Sequence, residues 1–175
     1  MHSNLPCLRV ILCCLLLVSV QTAAAMEIMS GRPTRVISGN ELELLSSDGT
    51  LHRVKLSGID TLPPNQPWGA AARRHLQTLV MGRSVRFFYR RGERMEKIRG
   101  QLRHGGADVN IRLLSAGLAR LDPSALSRAD AERYAAAERT ARTAGLGIWD
   151  RNEGRGPRFK GQEKKQRIYS SHEYF

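Results

Sequence analysis

The chain has 175 residues, enough for one domain with extensions, and its 28 Lys and Arg outweigh 16 Asp and Glu to give a formal charge of +12. That balance favours polyanionic partners, nucleic acid or an anionic envelope surface, by steering and counterion release. The three cysteines, Cys7, Cys13 and Cys14, all lie in the first 25 residues, so the rest of the chain excludes disulfides, thiolate catalysis and cysteine-based zinc sites.

Residues 1–25 read as a signal peptide. Arg9 supplies the basic n-region, residues 10–20 are an apolar h-region, and Ala23-Ala24-Ala25 is a cleavage signal. The apolar run falls short of the roughly 20 residues a helical span needs, which leaves an uncleaved anchor as the other reading. Cleavage near Ala25 predicts an exported protein, periplasmic or secreted. The chain from Met26 keeps 27 basic and 16 acidic residues, because Arg9 is the only charged residue before it. No lipobox precedes a cysteine, so lipid attachment is not expected.

Residues 32–37 form the first strand candidate, and Ser38-Gly39-Asn40 is turn chemistry. Residues 41–45 alternate polar and apolar, as a half-buried strand does. Asp48-Gly49 marks a hairpin, and residues 51–56 return. The stretch V-K-L-S-G-I-D-T ends this strand region on Asp60, a carboxylate beside a turn rich in proline. Pro67-Trp68 opens a helix that Gly82 ends. Trp68, Ala72, Leu76, Leu79 and Val80 share its apolar face, with Arg73, Arg74 and Gln77 opposite.

Residues 84–90 are a strand. Its adjacent Phe87 and Phe88 point to opposite faces, so one of them needs cover from outside the core. A charged loop covers 91–97, a short last strand 99–103, and His104-Gly105-Gly106 turns the chain. Residues 109–114 form a short helix closed by Gly117. Ser127 begins a capping box in which Asp130 replaces the usual Glu or Gln, and the helix runs to Ala144. Tyr134, Ala137, Ala141 and Ala144 are its expected buried seam. Residues 151–175 form a basic tail of disordered composition. His52, His75 and His104 lack metal-ligand spacing, and Trp68 and Trp149 stand where core packing is expected.

The order of elements, five short strands with a helix between the third and fourth, predicts an α+β fold: a five-stranded OB-fold β-barrel plus three helices. R-V-I-S-G-N-E-L, V-K-L-S-G-I-D-T, Q-P-W-G-A-A-A, R-G-Q-L, D-V-N-I-R-L-L-S-A-G-L-A and G-L-G-I-W occur in this order. Together they make residues 31–150 resemble the staphylococcal nuclease (thermonuclease) family. The resemblance implies a barrel with three helices, and in active members a Ca2+-dependent phosphodiesterase acting on DNA and RNA.

Residue by residue, the resemblance implies metal ligands at Asn40, Asp60 and Thr61, and phosphate contacts at Lys55 and Arg99. It also exposes departures. Asn40 stands where the family has a ligating aspartate, and an amide oxygen brings no negative charge to a cation that wants 6–8 oxygens. Pro63, or Pro64 with one insertion, stands where the family has its general-base glutamate, and no acidic residue follows before Glu93. Lys55 replaces an arginine and loses the bidentate fork. Arg99 follows Lys97-Ile98 where the family has a tyrosine, and the tyrosines expected after Gly117-Leu118-Ala119 are absent.

Strand alternation puts Asn40, Leu42 and Leu44 on one face and Glu41 and Glu43 on the other, so neither glutamate replaces the lost ligand without a bulge. The expectation is an exported, catalytically degenerate nuclease-like domain that binds nucleic acid or other polyanions, with calcium weak or absent. The alternatives are a weak divalent-metal-dependent phosphodiesterase using Asp60, Asn40, Lys55 and Arg99, and an envelope protein-interaction module.

Overall fold

The computed structural model describes residues 26–90 and 98–150. The expected leader, the loop 91–97 and the basic tail lie outside the described residues. Those described form eight strands: β1 (Met26–Val36), β2 (Glu41–Ser46), β3 (Leu51–Leu56), β4 (Ile59–Asp60), β5 (Val85–Arg90), β6 (Ile98–His104), β7 (Ala107–Asp108) and β8 (Arg120–Leu121). Three α-helices accompany them: α1 (Pro67–Val80), α2 (Val109–Ser115) and α3 (Arg128–Thr143). Short 3-10 turns occupy Pro123–Ala125 and Gly147–Trp149.

Hydrogen bonding runs β3-β2-β1-β5-β6-β7, and a parallel β3–β6 pairing closes the first five strands into a barrel. This is the expected OB-type α+β architecture, with α1 between the third and fourth barrel strands. The strands form because their alternation gives each one an apolar inner face. Leu42, Leu44, Val54, Leu56, Phe87 and Leu102 are sealed inside, each side chain worth about 1.5–3 kcal/mol of burial. Glu41 and Glu43 face outward and pair with Arg53 and Arg35.

β1 starts six residues before the expected 32. Its first half, Met26–Gly31, pairs with β5, and from Gly31 onward it pairs with β2. The early half was illegible because its polarity is inverted: Met26 and Ile28 face solvent, while Glu27 and Met29 are half-buried. Pro33 sits beside a register shift between Pro33 and Arg35, where its missing N–H is tolerated. Asp60 does not end the strand at 51–56. A turn at Ser57-Gly58, with Gly58 at φ +75°, starts the separate strand β4.

α1 has Pro67 in its first turn and buries Ala72, Leu76 and Val80, with Arg73 and Arg74 exposed. α2 is capped by Asp108, whose carboxylate accepts the N–H of Asn110 at 2.9 Å and of Ile111 at 3.2 Å. The Tyr134 hydroxyl donates to the same carboxylate at 3.1 Å and ties α3 to α2. Burial drives the Asp108 carboxyl above its usual range against these hydrogen bonds, and it raises the Tyr134 phenol as well. Ser127 caps α3 by accepting the Asp130 N–H at 3.1 Å. The seam of α3 is Tyr134, Ala137 and Ala141. Ala144, expected in that seam, is the exposed C-cap, because the helix ends one residue earlier.

The G-L-G-I-W motif has a packing role. Gly147 and Gly117 both have positive φ, and a Cβ on either would lie about 2 Å from backbone of the other's segment. Ile148 N–H donates to the Gly117 carbonyl at 2.9 Å, which seats the segment after α3 against the turn after α2.

Candidate functional site

Lys55 and Arg99 are Cα partners in the parallel β3–β6 pair. Their chain neighbours Val54, Leu56, Ile98 and Gly100 are all buried, so both cations project from the outer face. Adjacent strands run about 4.8 Å apart. The barrel thus sets two positive charges side by side at the seam where it closes, and a phosphate bound there would relieve their mutual repulsion.

Two buried asparagines fix the turn that leads from this seam to Asp60. Asn110 donates to the Ser57 carbonyl at 2.8 Å and accepts the Leu102 N–H at 3.2 Å. Asn40 accepts the Leu56 N–H on its backbone carbonyl at 2.8 Å and donates its side-chain N–H to the Ile59 carbonyl at 3.3 Å. Because the Ile59 carbonyl only accepts, the Asn40 nitrogen must face it. The Asn40 oxygen then receives the Ser38 hydroxyl at 3.0 Å, and the same Asn40 nitrogen reaches Asp60 Oδ1 at 3.4 Å.

The structure therefore does bring Asn40 to Asp60, but with a donor turned toward the carboxylate. Thr61 is half-buried, close to the position a Cβ on Gly39 would take. As a cradle for calcium this set fits poorly. It offers one carboxylate, and Asn40 commits its oxygen to Ser38 and its N–H to the position a cation would share. Among the described residues, no group of three or more His, Cys, Asp or Glu could hold a metal ion. Pro63 and Pro64 are exposed, and the Pro63 carbonyl lies where a side chain on Gly69 would go, so this segment packs onto the start of α1.

A residue the sequence did not single out joins the site. Asp122 follows β8, and its N–H bonds the Gly58 carbonyl at 3.0 Å. Ser124, through hydroxyl and backbone N–H, holds the Asp122 carboxyl below its usual range, and the positive charges of Arg99 and Lys55 add to this. Asp122 is thus a local counter-charge to the cation pair. Its one sequence signal, Asp-Pro-Ser, reads as a turn and says nothing of a partner so far back in the chain. Arg120, the register partner of Asp60 in the β4–β8 pair, lies over the Trp149 ring at 5.5 Å, with Arg142 over the same ring at 4.0 Å. Trp149 is half-buried, with both guanidinium groups packed against its ring.

A family model for staphylococcal nuclease homologues matches residues 53–151, more than half of the chain. The chain belongs to that family. Membership points to a nuclease or nucleic-acid-binding function for this nuclease homologue. A search among curated proteins gives no match. The family match starts inside β3, so Asn40 lies before it, and the barrel is what carries Asn40 to Asp60. No helix among the described residues of the nuclease homologue is long and apolar enough to cross a membrane.

Proposed function

We propose that this nuclease homologue binds nucleic acid or a related polyanion at the Lys55–Arg99 seam and does not cut it by the calcium-dependent route. The observation that carries the reading is the pairing of the two cations beside a site where Asn40 donates a hydrogen bond to Asp60. The cations supply phosphate attraction, while the carboxylate that would hold a cation and the glutamate that would activate water have both been replaced. The wider positive charge of the chain adds a sequence-independent term that falls steeply with salt.

The test is to titrate the purified protein with labelled single-stranded DNA over a salt series, and in parallel to assay cleavage with calcium and with chelator. Binding that weakens steeply with salt, with no difference in cleavage between calcium and chelator, supports the reading. Calcium-dependent cleavage abolished by Asp60→Ala would replace it with the weak phosphodiesterase, a reading that Asp60 favours by remaining exposed. No affinity for DNA at low salt would sink both and leave the protein-interaction module.

The same proposal puts the domain outside the cytoplasm after cleavage near Ala25. The n-region, h-region and alanine triplet support this. Mass spectrometry of the N-terminus of exported protein tests it, and an intact Met1 would overturn it.

A further inference from the structure

Of the two adjacent phenylalanines, Phe87 fills the core and Phe88 stands half-buried on the outside of the barrel. Phe88 does not stand alone. The Arg103 guanidinium lies 5.0 Å from its ring centroid and that of Arg86 lies 6.0 Å away. The strand register explains the grouping: Arg86 pairs with Arg103 and Phe88 with Gln101 across β5–β6, while Arg99 pairs with Lys55 on the other side of β6. Arg99, Gln101 and Arg103 thus share one face of β6, spaced about 6.7 Å apart, with Gln101 buried between the exposed Arg99 and the half-buried Arg103. A cleft lined by Phe88, Arg90, Arg99 and Gln101 joins the ring to the cation seam. The one carboxylate on its lining, Asp130, is already engaged by Ser127 and Arg133. Beside Phe88, the register partner Ile28 and nearby Met26 are each 58% exposed, apolar surface that solvation alone does not favour.

We propose that the Phe88 ring with Arg86 and Arg103 is a stacking surface for an unpaired base, so that the ligand of the Lys55–Arg99 seam is single-stranded nucleic acid laid along β6. This rests on the proposed polyanion binding and narrows it. Aromatic rings and guanidinium planes both accept a base face, and stacking is indifferent to sequence. A duplex hides those faces. A row of cations alone would bind any polyanion, whereas guanidinium groups layered with a half-buried ring distinguish a strand that carries bases from one that does not.

The experiment measures binding of the full chain to a single-stranded oligonucleotide, to an abasic oligonucleotide of the same length, and to heparin. Wild type should bind the base-bearing strand more tightly than the abasic one. Phe88→Ala and Phe88→Leu should weaken the base-bearing strand about fivefold to a hundredfold and leave the abasic strand and heparin unchanged. Phe88→Leu keeps apolar cover on the barrel, and Phe88→Tyr should retain binding. Equal wild-type affinities for the two strands, or an equal loss on both in a folded Phe88→Leu, overturns the stacking surface while leaving polyanion binding in place. No wild-type binding to any of the three probes overturns both.

Discussion

Asn40 donates its side-chain N–H to Asp60 at 3.4 Å, a hydrogen bond across 20 residues of chain where the family's pattern would set two carboxylates around a cation. A bond of this kind does locally what the cation would do, in that it gives the Asp60 oxygen a positive partner and satisfies the Ile59 carbonyl at the same time. The amide thus bridges Asn40, Ile59 and Asp60.

Asn40→Asp should therefore destabilise the protein by about 1–2 kcal/mol in the presence of chelator. Two carboxylates would then face each other and the Ile59 carbonyl would lose its donor. Calcium at millimolar concentration should restore part of the lost melting temperature in the variant and leave the wild type unmoved. Thermal melts with and without calcium check this, and a calcium-dependent rise in the wild type would contradict it.

Asp122→Asn should tighten polyanion binding. The charges of Arg99 and Lys55 help to hold the Asp122 carboxyl low, so its removal takes one counter-charge away from the pair. The gain should be modest, roughly two- to fivefold at low salt, because the group is only half-buried and solvent screens it. It should vanish at high salt. An unchanged or weakened affinity at low salt would show that Asp122 does not compete for the pair.

Asp108 supports a sharper comparison of variants. Asp108→Ala removes the cap of α2 and the partner of the buried Tyr134 hydroxyl, a loss of about 2–4 kcal/mol in urea melts. Asp108→Asn keeps an acceptor for the cap and should stay within about 1 kcal/mol of wild type at neutral pH. Since burial raises the folded-state carboxyl, its stabilising contribution is full below the unfolded value and is lost as pH rises through the folded one. Asp108→Asn should therefore compare best with wild type at neutral pH and less well in acid.

His75, half-buried on α1, is held below its usual value by burial first and by Arg112 second. The neutral ring is the folded form, so its contribution is present above about pH 6.5 and lost as pH falls through the lowered folded value. Melts of wild type and His75→Gln at pH 7.5 and pH 5 should diverge, with the variant losing less on acidification. Parallel pH dependences would remove His75 as the cause.

Much of the barrel was legible because local chemistry agreed with the global fold. The Asp48-Gly49 turn, the 3.6-residue stripe of α1 and the Ser127 cap all occur where their residues imply. The start of β1 was hidden because a strand with apolar residues outside carries the wrong alternation. β4 and β8 were hidden because two-residue strands have no period at all. The site divided in the same way. That Asn40 brings an uncharged amide could be read from residue type alone, but the direction of that amide is set by the Ile59 carbonyl, which no local pattern reveals. Asp122 could not be assigned to Lys55 and Arg99, because only the closed barrel makes them neighbours.

That last dependence has a kinetic consequence. Lys55 and Arg99 are 44 positions apart (99 − 55), and they meet through the parallel pairing that completes the barrel. Long-range pairings of this kind carry a loop-closure cost before they gain any contact, and they slow folding. The seam is then among the late contacts to form, and in the unfolded chain the two cations are simply dispersed. A polyanion that bridges them acts as a clasp on the last gap: it should slow unfolding far more than it speeds refolding, and ligand-bound protein would outlive its free form under proteolysis.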